Sequence, residues 1–155
     1  MRLGLCTNGR SIEYSMQEAM ETFLNRKGLI YKDEFTVKEV SRRADFLVFK
    51  KHSGLINIEA KCNDFKCMLK QLNDHAKYCD YCFAYITDVC NTPVWFKRKL
   101  AESGFGLIVY NCDSEEVTEV LEAHHNHKRD KELRNKILKE IKKQPLLKRN
   151  KFKHV

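Results

Sequence analysis

Apolar and polar positions follow two different periods along this chain. From Ser11 to Lys27, Ile12, Met16, Ala19, Met20, Phe23 and Leu24 recur at i, i+4, i+7 and i+8, which predicts an amphipathic helix. Ser11 suits its N-cap, and Gly28 suits its stop. Leu29 to Lys38 reads as a strand, as do Asp45 to Phe49 and Leu55 to Lys61, the last two separated by the turn-rich loop KKHSG. Asp64 can cap a second helix, Phe65 to about Lys77, with Phe65, Met68, Leu69 and Leu72 on its apolar side. Tyr81 to Thr87 is a buried-type strand. Pro93 fits position N1 of a short helix ending at Ser103-Gly104, and Gly106 to Tyr110 is another apolar strand. Ser114 to Glu122 fits neither period. Lys131 to Lys143 predicts a basic helix with a narrow stripe of Leu133, Ile137, Leu138 and Ile141, ended by Pro145.

This order predicts an α/β fold, a central mixed sheet flanked by helices. A length of 155 residues suits one domain. We place its body at 1–127, with a basic helix and tail over 128–155. No apolar run approaches the ~18 residues of a membrane span. Met1 to Arg10 lacks the apolar centre of a signal peptide. A cytoplasmic protein without a membrane partner is therefore expected. Its seven cysteines are read as mostly reduced thiols.

Charge changes the picture at one end. The net charge is +8, yet from Lys128 onward twelve Lys or Arg face three Asp or Glu, so the body is close to neutral. A polyanionic partner, DNA above all, is one reading of such a segment. A solubilising tail is the other, as is closure against the sheet through Leu133, Ile137 and Ile141. Phe152 among lysines could stack on a base.

The candidate chemistry lies in RRADFLVFKKHSGLINIEAK, residues 42–61. Side chains alternate along a strand, so Ile56, Ile58 and Ala60 share one face, and Leu55, Asn57, Glu59 and Lys61 the other. Closing the hairpin across Lys50 to Gly54 sets Phe49 opposite Leu55, Leu47 opposite Asn57 and Asp45 opposite Glu59. Two facing carboxylates repel, and a divalent cation between them removes the objection. Mg²⁺ takes such oxygen ligands and keeps waters for a phosphate. Lys61 beside them could orient or deprotonate an attacking water. A solvent-exposed sheet face with mixed charges is the alternative.

Asp45 followed by Glu59-Ala60-Lys61 resembles the motif of the PD-(D/E)XK nuclease superfamily. Asp64, Phe65, Tyr78, Cys79, Asp80, Phe83 and Ala84, and the later GFGLIVYN, are similar to the MmcB-like DNA-repair proteins of that superfamily. The resemblance covers roughly residues 43–111 and implies a restriction-endonuclease-like core that hydrolyses DNA with Mg²⁺ or Mn²⁺. Asp45, Glu59 and the Ala60 carbonyl would hold the metal, and Lys61 would assist the water. Ala44 stands where the motif usually has proline, and Cys62-Asn63 where a small polar pair is usual. Such nucleases often add a first-helix glutamate: helical phase favours Glu13, while distance to the ending glycine favours Glu18. For both, an ordinary surface glutamate is an equal reading. Gln71, four residues before His75, matches a helix position that often touches phosphate in the superfamily; a solvated helix face is an equal reading. The layout also looks like junction-resolving endonucleases of phages and archaea, which implies branched or flapped DNA and a homodimer.

Two other readings stand beside this one. A nucleic-acid-binding module would keep the fold and basic segment without the chemistry. A zinc-stabilised interaction domain would use Cys79 and Cys82 with His124 and His127. Against the latter, alternation at a strand start would send the two cysteines to opposite faces.

Overall fold

Segments with the strand period pair edge to edge, and segments with the helix period cover both faces of the resulting sheet. The computed structural model describes residues 11–50, 54–61 and 64–143. The order is α1 (Ile12–Arg26), β1 (Ile30–Val37), a 3₁₀ turn (Lys38–Val40), β2 (Arg42–Lys50), β3 (Gly54–Ala60), α2 (Phe65–His75), β4 (Tyr81–Thr87), α3 (Val94–Ser103), β5 (Gly106–Tyr110), β6 (Val117–Leu121) and α4 (Lys131–Lys143). The six strands form one mixed sheet in sequential order. β3, β4 and β5 run parallel, and the remaining neighbours pair antiparallel.

Caps set the helix ends. The Ser11 hydroxyl accepts from the Tyr14 N–H, and the Asp64 carboxylate from the Cys67 N–H. α2 stops at His75, short of Lys77, because the His75 carbonyl takes the N–H groups of Tyr78 and Cys79 and turns the chain toward β4. Pro93 is the N-cap of α3, one place outside the expected N1, with extended backbone. The segment that fitted neither period contains β6, a short edge strand whose Thr118, Glu119 and Val120 are exposed.

Both faces of the sheet are covered. α1 lays Ile12, Met16, Met20 and Leu24 on Phe46, Val48, Ile58, Tyr85 and Ile108. Met68 and Leu72 of α2, Phe96 and Leu100 of α3, and Ile137 and Ile141 of α4 pack with Leu47, Phe49, Leu55, Ala84 and Leu107 on the other face. α4 thus belongs to the body of the protein. Its approach is fixed at Asp80, a buried carboxylate that accepts from the Leu55 N–H at 2.7 Å and the Arg134 Nε at 2.7 Å and pairs with Arg129. Gly54, at φ +83°, leaves room for that carboxylate, because a Cβ there would collide with it.

Cys79 and Cys82 both lie in the core beneath α2, contrary to the expected opposite faces. Cys79 precedes β4, in the turn after α2, so strand alternation does not govern it. Among the described residues no group of three or more His, Cys, Asp or Glu is arranged to hold a metal ion, so the zinc reading has no ligand set there. No helix among them is long and apolar enough to cross a membrane. Residues 51–53 of the hairpin loop, Cys62-Asn63, Met1 to Arg10 and the tail with Phe152 lie outside the described residues.

Candidate active site

The hairpin register puts the two acids side by side. β2 and β3 pair through Phe49↔Leu55, Leu47↔Asn57 and Phe46↔Ile58, as the sequence predicts, and the next positions are Asp45 and Glu59. There the two carboxylates enter the hydrogen bonding between the strands. The Asp45 N–H donates to Glu59 Oε2 at 2.9 Å, and the Ala60 N–H donates to Asp45 Oδ2 at 2.8 Å. Each acid therefore holds the other's strand, which fixes both against rotation. The Asn57 amide adds a bond to Glu59 Oε2 at 3.0 Å.

The environment raises both acids. Glu59 is 1% exposed. Burial first, and the Asp45 charge second, push its carboxyl up to about 8. Burial also raises Asp45, against the Ala60 N–H and the charges of Arg43 and Lys61. Two adjacent acids that resist ionising together are what a divalent cation would relieve, and their oxygens suit a hard ion.

Lys61 follows β3, half-buried, with its backbone N–H on the Tyr85 carbonyl. Its ammonium acts on Asp45 electrostatically and donates to Cys67 Sγ on α2 at 3.1 Å. Ala60 is in register with Tyr85 of β4. Gln71 is half-buried on α2, one turn before His75. The two first-helix candidates stand apart from this group, because α1 covers the sheet face opposite α2. Glu13 is exposed in the first turn, and Glu18 lines a cavity of about 410 Å³ with Glu115, Glu116 and Arg26.

Two neighbours escape the sequence reading. Asp33↔Phe46 and Phe35↔Ala44 bracket Glu34, which therefore lies opposite Asp45 on β1. Glu34 has a left-handed φ of +50°, unusual for a glutamate. The strands change faces there: Tyr31 and Phe46 pack toward α1, whereas Phe35, Val37 and Ala44 pack toward α2. Glu34 is exposed, and its charge opposes ionisation of Asp45. Nothing in Lys32-Asp33-Glu34 marks this residue without the register. The second neighbour is His75, fully buried, with Nε2 at 3.6 Å from Glu59 Oε1. Burial lowers its pKa to about 4, so the ring is neutral. Its spacing from Gln71 is visible in the sequence, but its burial is not.

No family model matches the chain, and no curated protein does. Solved structures do. A protein of unknown function from Silicibacter pomeroyi aligns over 80% of this chain and 79% of its own, with a TM-score of 0.59 and 20% identity. An XisH family protein from Nostoc punctiforme aligns over 67% of this chain and 96% of its own, with a TM-score of 0.50 and 11% identity. A fdxN element excision controlling factor protein from Anabaena variabilis gives 68%, 96%, 0.50 and 13% for the same quantities. At these identities the likeness is one of fold. The six-stranded mixed sheet with helices on both faces is a restriction-endonuclease-like α/β fold.

Proposed function

We propose that the protein is a metal-dependent DNA endonuclease of the PD-(D/E)XK type. The observation that carries this reading is the pair of cross-braced carboxylates, Asp45 and Glu59, with Lys61 at the end of the same strand. Asp45 and Glu59 would hold Mg²⁺ or Mn²⁺, with the Ala60 carbonyl as a further ligand. The bound ion would supply Lewis-acid polarisation of the phosphodiester and a water of lowered pKa. Lys61 would orient the attacking water and offset phosphate charge as the P–O bond breaks. The residues suit this chemistry, since both acids are held in place by backbone N–H groups.

DNA is the proposed partner on the basis of charge. Lys139, Lys142 and Lys143 are exposed on α4, whose Ile137 and Ile141 are buried. Lysines displayed this way neutralise backbone phosphates without reading sequence. MmcB-like repair nucleases, or junction-resolving enzymes acting as homodimers on branched or flapped DNA, are the finer assignments we favour, in the cytoplasm. A binding module of the same fold is the second reading, favoured by one observation: the carboxylates already serve as braces between β2 and β3.

Incubating the protein with labelled single-stranded, duplex, flap and four-way-junction DNA in Mg²⁺, Mn²⁺ or EDTA tests the proposal. Metal-dependent cutting is expected. Binding without cutting in any metal would leave the binding module.

A further inference from the structure

His75 is a buried polar group that the proposed chemistry does not use. It sits in the last turn of α2, 0% exposed. Its Nδ1 lies 2.5 Å from the Tyr78 hydroxyl, itself fully buried. Among the described residues its Nε2 has no hydrogen-bond partner, and it faces Glu59 Oε1 at 3.6 Å. A phenol is the natural donor to an imidazole nitrogen. With Tyr78 donating to Nδ1, the ring's own proton is on Nε2, facing the carboxylate. The Arg43 backbone acts on the same ring as a further acceptor.

Counting lone pairs at Glu59 gives this approach a purpose. A carboxylate offers about four acceptor sites. Oε2 receives the Asp45 N–H and the Asn57 amide, which fills it. Oε1 faces His75 Nε2.

We infer that His75 is a positioning residue: its Nε2–H, set by Tyr78 and facing Glu59 Oε1, closes on that oxygen when the cation binds, so that one lone pair remains for the cation. Glu59 is then a one-point ligand whose direction is fixed through Tyr78, His75 and the bonds to Oε2. The inference rests on the metal-site reading above and adds who aims the ligand. It also explains why a histidine is buried under a sheet where an apolar residue would pack as well.

Titration of the whole protein with Mn²⁺ alone, followed by calorimetry or by the loss of free-ion EPR signal, tests it. His75→Phe keeps the ring and removes the N–H. It is expected to weaken Mn²⁺ binding 10- to 100-fold, as loss of a ligand's supporting partner does. His75→Gln, which returns an N–H donor, is expected to recover most of the affinity. Tyr78→Phe is expected to lose a few fold and to shift the His75 ¹⁵N signals away from the Nε2–H tautomer. Unfolding of each variant in EDTA reports packing separately, since a merely structural role changes folding without changing the affinity of the folded fraction. His75→Phe that binds Mn²⁺ as wild type does, or an Nδ1–H tautomer in wild type, overturns the inference and leaves the site reading intact. Wild type that binds no Mn²⁺ overturns the site reading and this inference with it.

Discussion

Replacing Glu59 by glutamine should make the metal-free protein more stable, increasingly so as pH rises. A glutamate titrates ordinarily near 4.5, and in the folded protein Glu59 is pushed up to about 8. Between those values the folded state keeps a proton that the unfolded state has lost. The contribution of Glu59 is therefore complete below its unfolded pKa and is lost as pH rises toward its folded one. The loss is up to ~1.4 kcal/mol per pH unit, of order 4 kcal/mol over the window. Glutamine matches the protonated acid in shape. Its carbonyl can take the Asp45 N–H and Asn57 bonds. Urea denaturation in EDTA at steps from acidic to alkaline pH reads the difference directly. The variant and wild type should nearly coincide near pH 5 and diverge by roughly 3–4 kcal/mol by pH 8. Adding Mn²⁺ at the alkaline end should raise the wild-type midpoint and leave the glutamine variant unmoved. A pH-independent offset between the two proteins would refute the reasoning, because it would mean that Glu59 titrates alike folded and unfolded.

Other expectations follow from packing and charge. Ile137→Ala, at a fully buried position of α4, should cost about 2–5 kcal/mol in urea denaturation, as a core residue and not an arm residue would. Asp80→Ala strands Arg129 and Arg134 and should cost about 3–5 kcal/mol by the same assay. Changing Lys139, Lys142 and Lys143 to glutamine should weaken duplex binding and flatten its salt dependence by up to ~0.9 in the log–log slope for each phosphate no longer neutralised. An unchanged slope would remove α4 from the DNA interface.

Much of this arrangement is legible in the sequence, for identifiable reasons. Closing the short loop between FLVF and LINI sets the register, and Asp45 and Glu59 follow from it. The stripe on α4 announces its burial. What escaped depends on neighbours distant in the chain. Asn57 and Glu59 look like the wet side of a strand, yet α2 covers them, and only the tertiary fold supplies that cover. Glu34 gains its place from pairing with β2 and from a left-handed backbone that glutamate does not favour. β6 has exposed side chains along its middle, so no alternation marks it. The first-helix glutamates stayed ambiguous because helical phase does not say which sheet face a helix will cover. α1 covers the face away from α2, with Glu18 beside Glu115 and Glu116.

The most direct test is the single-turnover cleavage rate on the best DNA of the panel, in Mg²⁺ and in EDTA, for wild type, Asp45→Asn and Lys61→Ala in parallel. Wild type should cut in Mg²⁺ and not in EDTA, and each variant should lose about 100-fold or more. Cutting that persists in EDTA, or that Lys61→Ala performs as well as wild type, would contradict the proposed function.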